Sequence, residues 1–265
     1  YDYAETAARV LASMTDYGKI RTRTTPSYKR YKPKKTQVSQ ILKRAKRKGG
    51  FLSQKEVFDI LESFGIPVTL THSFKKKEEM LELASKIGYP LVLKGCSEDI
   101  SHKTEQNLVR LDIRNDHEAN TAFKEIMAVL NGTDGGVLVQ ERVKGQRELV
   151  MGMTRDRQFG ASVMFGLGGV LTEILEDVAF RLAPLDKRDA RDMMGEIRGR
   201  RILENIRGMG AADVEQLGEI LIQVGRIGIE HDIIKEIDIN PVIISEGKGI
   251  AVDALIVLES EFVQK

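Results

Sequence analysis

The chain has 265 residues, 42% of them hydrophobic, which is enough to bury a sizeable core. No apolar run approaches the roughly 20 residues that a membrane-spanning helix needs, and the first residues lack the basic and then apolar order of a secretion signal. The composition therefore predicts a soluble protein of the cytoplasm without a membrane partner, and the single Cys96 excludes an internal disulfide.

The net charge of +2 hides a strong segregation of charge along the chain. The stretch from Lys19 to Lys48 contains thirteen Lys and Arg residues and no acid, so the rest of the chain is acidic. A basic run of this kind could contact nucleic acid, but it contains two prolines, scattered tyrosines and no recognised nucleic-acid motif. We interpret it as a solvated linker and expect no nucleic-acid partner; the alternative, nucleic-acid binding, predicts salt-dependent association.

Apolar spacing predicts helices and strands that alternate along the chain. In chain order they are helices over 2–16, 38–45 and 53–64, a strand over 66–70, a helix over 76–87, strands over 89–94 and 108–113, a helix over 116–130, strands over 137–141, 147–153 and 161–165, helices over 186–194 and 212–229, and strands over 233–239, 242–245 and 250–252. Ser53 and Glu56 have the spacing of a capping box at a helix start. Hairpins outnumber crossover units, which favours the α+β class.

Polar side chains at the ends of two predicted strands suit nucleotide binding. Lys94 ends the strand over 89–94, where a rigid scaffold would hold a point charge against phosphate groups. Glu141 ends the strand over 137–141 and precedes Glu148 by seven residues, so one carboxylate can meet an adenine edge and the other the ribose hydroxyls. The alternatives are a strand-end lysine that reaches solvent and two surface carboxylates.

A third polar group lies near the C-terminus. Asp238 and Asn240 share one side of a predicted strand because they are two residues apart, and Asp253 follows the next strand. Oxygen ligands that leave positions open for phosphate oxygens and water are what Mg²⁺ requires in a nucleotide site. The spacing predicts a magnesium site, with coincidence as the alternative.

Two loops could take part in phosphate chemistry. His102 lies in a polar loop, where its imidazole could attack a phosphoryl group, although a lone loop histidine is more often simply solvent-exposed. The segment Gly166-Leu167-Gly168-Gly169 lets backbone amides approach phosphate. It lacks the third spaced glycine of a dinucleotide-binding fingerprint.

The order of these pieces resembles the ATP-grasp half of ADP-forming acyl-CoA synthetases, the acetate–CoA ligase group related to succinyl-CoA synthetase. The resemblance covers about Lys43 to Leu258. The blocks that carry it include Leu52-Ser53-Gln54-Lys55-Glu56, Gly88-Tyr89-Pro90-Leu91-Val92-Leu93-Lys94, Asp99-Ile100-Ser101-His102-Lys103, Gly166-Leu167-Gly168-Gly169-Val170, Asp177-Val178-Ala179-Phe180-Arg181-Leu182-Ala183-Pro184-Leu185 and Asp238-Ile239-Asn240-Pro241.

The resemblance implies a two-lobed ATP-grasp fold of mainly antiparallel sheets that clamps ATP or ADP, and the reversible reaction of acyl-CoA, ADP and phosphate to acid, CoA and ATP. In the family a histidine on a mobile loop carries a phosphoryl group from a separate CoA-ligase part to the nucleotide, and His102 matches that histidine. The same resemblance implies that Lys94 grips phosphates, Glu141 lies at the adenine, Glu148 lies at the ribose, Asp238, Asn240 and Asp253 surround Mg²⁺, and Arg181 neutralises charge during transfer.

The resemblance also implies a partner, because the chain contains neither the CoA-binding region nor its histidine. A CoA-ligase domain or alpha subunit would bring acyl-CoA and CoA to the reaction. We interpret residues 1–17 as the closing helix of a preceding ligase domain and 18–50 as a basic linker and helix. Residues 51–265 form the predicted ATP-grasp domain, with lobes over 51–135 and 136–265.

One block departs from the family pattern. The family usually has His-Lys-Ser-Asp-Val-Gly-Gly-Val where this chain has His102-Lys103-Thr104-Glu105-Gln106-Asn107-Leu108-Val109. Both glycines are replaced, and bulkier residues there would hinder loop movement or phosphate approach. The departure keeps a second function open: a degenerate ATP-grasp module with a regulatory or assembly role in a synthetase-like or acetyltransferase fusion protein.

Overall fold

The computed structural model describes residues 3–22, 35–47, 49–97, 108–133, 135–169, 176–206 and 208–259. His102, Gln106 and Asn107 lie outside the described residues. The chain divides into two units, residues 1–30 and residues 31–265.

The helix α1 (Ala4–Arg21) forms the described structure of the first unit. It confirms the helix predicted over 2–16 and extends it to Arg21. Its apolar side chains Leu11, Met14 and Tyr17 are all exposed. Within the described residues, no helix combines the length and the apolar character needed to cross a membrane.

The second unit contains helices and strands in the α+β arrangement that the hairpin pattern predicts. In chain order they are α2 (Lys35–Arg47), α3 (Gln54–Ser63), β1 (Thr71–Phe74), α4 (Lys77–Ile87), β2 (Leu91–Cys96), β3 (Val109–Ile113), α5 (Asp116–Val129), β4 (Gly136–Glu141), β5 (Arg147–Asp156), β6 (Gly160–Leu167), β7 (Val178–Leu182), α6 (Lys187–Glu196), a 3₁₀ turn (Arg200–Leu203), α7 (Val214–Glu230), β8 (Ile234–Ser245), β9 (Lys248–Ala251) and β10 (Ala254–Leu258).

A four-stranded antiparallel sheet has the strand order β1-β4-β2-β3. Helices α4 and α5 pack against it, and their apolar side chains share a core with the buried central strands β2 and β4. The β2–β3 hairpin predicted from the segments 89–94 and 108–113 is confirmed. The strand predicted to end at Lys94 continues to Cys96, because Gly95 and Cys96 still pair with β4, so Lys94 lies inside β2. Glu141 ends β4 as predicted.

A six-stranded antiparallel sheet has the order β10-β8-β5-β6-β7, and β9 pairs with β8. Helices α6 and α7 cover one face, and α2 and α3 belong to the same hydrophobic core. Ser53 caps α3 with the predicted capping box, in which Glu56 bonds back to the Ser53 backbone. The opposite face of this sheet carries the polar residues described below.

The prediction of a strand over 66–70 is wrong, because this segment is a connection between the two sheets. Pro67 has no N–H to donate, and Val68 makes a single parallel bridge with Ala251. Ala251 donates its N–H to Pro67 at 2.9 Å, and its carbonyl accepts from Thr69 at 2.9 Å. The first strand of the four-stranded sheet begins only at Thr71.

The two strands predicted over 233–239 and 242–245 form one long strand, β8. Between Val242 and Ile239 the pairing with β5 shifts register, so Asn240 and Pro241 form a bulge. A bulge admits a proline because it interrupts the ladder of hydrogen bonds, and it re-aims the side chains beside it. The strands β7 and β10 were not predicted; their exposed apolar residues Phe180, Leu182 and Leu255 obscured the alternation.

Candidate functional site

Lys94 reaches from the four-stranded sheet to the segment that precedes β10. Its side chain is buried, with 5% of the residue exposed, and its Nζ lies 3.0 Å from Oδ2 of Asp253. Nζ also donates to the carbonyl of Val252 at 3.3 Å, and the buried Gln140 of β4 donates to the same carbonyl at 3.3 Å. A buried ammonium group requires such a carboxylate partner, so this contact fixes a positive charge between the sheets.

Asp253 is the residue on which the contacts from both sheets converge. Its Oδ2 accepts from Lys94, while its Oδ1 accepts from Nε2 of Gln54 at 2.8 Å and from the N–H of Ala254 at 3.0 Å. Gln54 is the first residue of α3 and is 4% exposed. The carboxylate therefore has a defined orientation.

The register of β8 and β10 brings the predicted metal ligands together. Leu255 lies opposite Asp238, Ala254 lies opposite Ile239, and the N–H of Asn240 donates to the carbonyl of Asp253 at 3.1 Å. Burial raises the pKa of Asp238, and the nearby charges of Glu236 and Asp253 raise it further. The carboxylates of Glu236 and Asp253 near Asp238 would stabilise a cation bound here.

The donor set at this position fits Mg²⁺ in chemical type. Asp238 and Asp253 offer carboxylate oxygens and Asn240 offers an amide oxygen. Among the described residues, no group of three His, Cys, Asp or Glu side chains could hold a metal alone. Mg²⁺ in nucleotide sites is typically bound by one or two carboxylates, with phosphate oxygens and water completing the octahedron.

Glu148 lies beside the glycine segment at the end of β6. The N–H of Gly168 donates to the Glu148 carbonyl at 2.8 Å, and a Cβ on Gly169 would overlap Oε2 of Glu148. Gly169 also has φ +64°, in the left-handed region that favours glycine. Glu148 alternates onto the same face of β5 as Gly152, which pairs with Asp238. The structure therefore places Glu148 on the same sheet face as Asp238.

Glu141 ends β4 at the point where the chain leaves the four-stranded sheet. Its carbonyl accepts from Oγ1 of Thr69 at 3.1 Å, and its N–H donates to Leu70 at 3.3 Å. The side chain is exposed, and residues 142–146 connect it to β5. Glu141 and Glu148 thus flank the connection between the two sheets, as the strand assignment predicts.

Arg181 lies on the other face of the six-stranded sheet. The pairing aligns Arg181 with Val163, Met153 and Ile237, whose side chains are buried on the helix-covered face. Its guanidinium donates from Nη1, at 2.9 Å, and from Nη2 to the carboxylate of Glu196 in α6. These hydrogen bonds raise the pKa of Arg181. The structure does not bring Arg181 together with Lys94, Asp238 and Asp253.

His102 lies outside the described residues, but one of the two replaced glycines beside it is described. Leu108 is fully buried, and its carbonyl accepts from the Gly95 N–H at 2.7 Å. A Cβ on Gly95 would lie 2.8 Å from Cδ2 of Leu108 and 3.0 Å from Cγ2 of Ile126. Leu108 therefore fills the core of the four-stranded sheet over Gly95, and its departure from the family pattern has a packing role.

Sequence reasoning missed two residues of this site, Gln54 and Gln140. Both are buried amides, and the amide of Gln140 also donates to Oγ1 of Thr71 at 3.0 Å. The sequence offers one signal for each residue. Gln54 is a polar residue at the first helical position after a capping box, and Gln140 is a polar residue inside an otherwise apolar strand. Buried polar groups are normally hydrogen-bonded, so each position indicates an unrecognised partner.

A family model described as "ATP-grasp domain" matches residues 43–258 of the chain. The beta subunit of acetate–CoA ligase (ADP-forming) I from Pyrococcus furiosus is 41% identical over 224 residues, which are 83% of this chain and 97% of that subunit. The acetate–CoA ligase (ADP-forming) I from Archaeoglobus fulgidus is 37% identical over 84% of this chain, which spans only 33% of that protein.

A solved structure of Ca. Korarchaeum cryptofilum dinucleotide-forming acetyl-coenzyme A synthetase 1, in complex with coenzyme A and Mg-AMPPCP, has a TM-score of 0.74 and 39% identity. The match covers 84% of this chain and 100% of the Korarchaeum chain. In that structure the phosphohistidine segment points towards the nucleotide-binding site. The matched family model and these relatives agree with the two antiparallel sheets. The chain therefore belongs to the ATP-grasp domain family, together with the beta subunits of ADP-forming acetate–CoA ligases.

Proposed function

We propose that this chain is the nucleotide-binding and phosphohistidine-carrier part of an ADP-forming acyl-CoA synthetase, an acid–thiol ligase of the cytoplasm. The whole enzyme would convert acyl-CoA, ADP and phosphate reversibly into acid, CoA and ATP. The observation that carries the proposal is the ion pair of the buried Lys94 with Asp253, next to which the pairing of β8 with β10 sets Asp238 and the backbone of Asn240.

The position of each residue supports the role proposed for it. Lys94 provides a fixed positive charge for phosphate groups. Asp238, Asn240 and Asp253 would hold Mg²⁺, which supplies charge neutralisation of the phosphates when bound. Glu141 and Glu148 flank the connection between the sheets, where the first would meet adenine and the second the ribose hydroxyls.

We assign the covalent step to His102. An imidazole nitrogen attacks the γ-phosphorus of ATP, the bond from that phosphorus to the bridging oxygen breaks, and ADP leaves; the reverse transfer makes ATP. The phosphohistidine segment of the Korarchaeum synthetase supports a carrier histidine in this family. Arg181 is a weaker candidate for charge neutralisation, because it pairs with Glu196 on the helix-covered face.

The activity requires a CoA-ligase part as partner. Two observations support this: the chain matches nearly all of a subunit named beta in Pyrococcus, and about one third of a longer Archaeoglobus ligase. The partner would bind acyl-CoA and CoA and would exchange the phosphoryl group with His102.

Labelling with [γ-³²P]ATP and Mg²⁺ tests the carrier role. We expect acid-labile, base-stable label on the wild-type chain, none on His102→Gln, and wild-type labelling of His117→Gln, which changes an exposed histidine of α5. Adding ADP should discharge the label as ATP. Label that persists in His102→Gln would contradict the carrier role. Absence of label in the wild type, together with absence of nucleotide binding, would favour the degenerate regulatory module.

A further inference from the structure

Gln54 occupies a position that the proposed nucleotide chemistry does not explain. Its side chain is buried at the first position of α3, and its amide donates to Oδ1 of Asp253 at 2.8 Å across 199 residues of sequence. A buried amide that bonds a carboxylate at a proposed metal site is what is expected of a group that orients a ligand from outside the coordination sphere.

The first turn of α3 is itself held firmly. Ser53 caps it, and the Ser53 N–H donates to Oε2 of Glu56 at 2.9 Å. Arg44 of α2 donates to Oε1 of Glu56 at 2.6 Å. Burial opposes ionisation of Glu56, but the hydrogen bonds from Ser53 and Arg44 outweigh it and lower the pKa of this carboxyl. Gln54 is therefore carried by a fixed helix start.

The two oxygens of Asp253 differ in the acceptor capacity that remains. Each carboxylate oxygen has about two lone-pair positions. Oδ1 accepts from Gln54 and from the Ala254 N–H, so both of its positions are used. Oδ2 accepts from Lys94 and keeps one position. These hydrogen bonds leave acceptor capacity on Oδ2 and none on Oδ1.

The two side chains that donate to Asp253, Gln54 and Lys94, belong to different parts of the fold. Helix α3 shares the hydrophobic core of the six-stranded sheet, to which β10 and Asp253 also belong, whereas Lys94 belongs to the four-stranded sheet. Gln54 is also neutral, so it orients the carboxylate without cancelling the charge that attracts a divalent cation.

We propose that Gln54 is a positioning residue that fixes the Asp253 carboxylate with Oδ2 directed to the metal and phosphate groups. This inference rests on the proposed function. Gln54 would act from outside the coordination sphere, and Oδ2 of Asp253 would bind the cation.

The test measures Mn²⁺ binding to the full chain with ADP present, by electron paramagnetic resonance titration. Gln54→Met keeps the length and apolar volume but removes the donor, and we expect its Kd for Mn²⁺ to rise roughly tenfold, the lower end of the effect of outer-sphere partners. ADP affinity in EDTA should equal that of the wild type. A role in folding alone would lower the melting temperature and leave the Mn²⁺ Kd unchanged.

Gln216→Met is the matched control. Gln216 also lies at a helix start, in α7, and its amide exchanges hydrogen bonds with Gly249 of β9 at 3.0 and 2.9 Å. The same substitution there removes the hydrogen bonds of a partly buried amide to β9 without touching Asp253. We expect a lower melting temperature and a Mn²⁺ Kd within about twofold of the wild type, which is less than the tenfold effect above.

Two outcomes would overturn the inference. If Gln54→Met binds Mn²⁺ as tightly as the wild type, Gln54 does not position Asp253, while the proposed function stands. If the wild type with ADP binds no Mn²⁺, the proposed metal site fails and the inference fails with it. Should Gln54→Met not fold, Gln54→Asn applies the same test, because its shorter side chain withdraws the donor from Oδ1.

Discussion

The Nζ atom of Lys94 lies 3.0 Å from Oδ2 of Asp253, and this ion pair joins the four-stranded sheet to the six-stranded sheet. The lysine side chain is almost fully buried, whereas the aspartate side chain is 36% exposed. The partly exposed end of the pair thus stays accessible to solutes. The contact thus sets a buried ammonium group beside a partly exposed carboxylate where the two sheets meet.

Replacing Lys94 by methionine should weaken nucleotide binding strongly. The loss of a charge-assisted contact to phosphate is worth about 2 kcal/mol, or roughly 30-fold in Kd for ADP. Lys86→Met is the control, because Lys86 is 66% exposed and pairs with Glu82 one helical turn away. Isothermal titration with ADP should show the loss only in Lys94→Met; equal affinities would remove Lys94 from the site.

Gly169→Ala should displace the carboxylate of Glu148. The substitution imposes left-handed backbone strain of about 1 to 2 kcal/mol and places a methyl group against Oε2 of Glu148. Gly160→Ala is the control: it imposes the same kind of strain at φ +80°, but its added Cβ would meet no atom within 4 Å. A difference between the two variants therefore reports the displacement of Glu148. We expect roughly tenfold weaker ADP binding in Gly169→Ala alone, about 1.4 kcal/mol.

The nucleotide chosen for that measurement decides the role of Glu148. If Glu148 binds the ribose hydroxyls, the difference between the two alanine variants should disappear with 2′,3′-dideoxy-ADP. A difference of the same size with both nucleotides would contradict the ribose assignment.

Asp177 should contribute to stability in a pH-dependent way. It is 6% exposed, and burial opposes its ionisation; the N–H groups of Gly199 at 2.6 Å and Arg198 at 2.8 Å outweigh that effect, with help from the Arg198 charge, and lower its pKa. A folded pKa below the unfolded value stabilises the protein above the unfolded pKa of about 3.9, and this stabilisation is lost as pH falls through the folded pKa.

Asp177→Asn should therefore cost about 2 kcal/mol in the free energy of unfolding at pH 7. The difference from the wild type should shrink as the pH is lowered below about 4. Asp156→Asn, in an exposed turn with two backbone donors, is the control and should cost less. Urea unfolding at several pH values measures both, and a cost of Asp177→Asn that is independent of pH would contradict the account.

Leu108→Ala should destabilise the four-stranded sheet by about 3 kcal/mol, because it removes a fully buried side chain from the core. Leu111→Ala, on the strand β3 that begins directly after Leu108, is the control, since Leu111 is 66% exposed, and it should change stability by less than about 0.5 kcal/mol. Thermal unfolding compares the two. Equal effects would show that the leucine at position 108 is not a core residue.

The sequence predicts those features of the fold that depend on residues close together in the chain. The capping box of Ser53 and Glu56 and the β2–β3 hairpin depend on neighbouring residues, so pattern alone identifies them. The apolar pattern over 66–70 predicts a strand, whereas in the structure Val68 makes a single bridge to the distant Ala251. Non-local pairing of this kind has no signature in the segment itself.

The candidate site shows the same division. Asp238 and Asn240 are close in sequence, and their relation to Asp253 follows from the hairpin order of the last strands. Gln54 reaches Asp253 from 199 residues away, and only the packing of α3 brings them together. Arg181 was grouped with the site by resemblance, but the strand register turns it to the helix-covered face.

The central claim is tested most directly by the melting temperature of the full chain with millimolar ADP, in Mg²⁺ and in EDTA. A ligand that binds only the folded state raises the midpoint by mass action. We predict a rise that depends on Mg²⁺, that is lost in Asp253→Asn, and that is retained in Asp59→Asn, which changes a carboxylate paired with Lys55 on α3. No Mg²⁺-dependent rise in the wild type, or an undiminished rise in Asp253→Asn, would contradict the account.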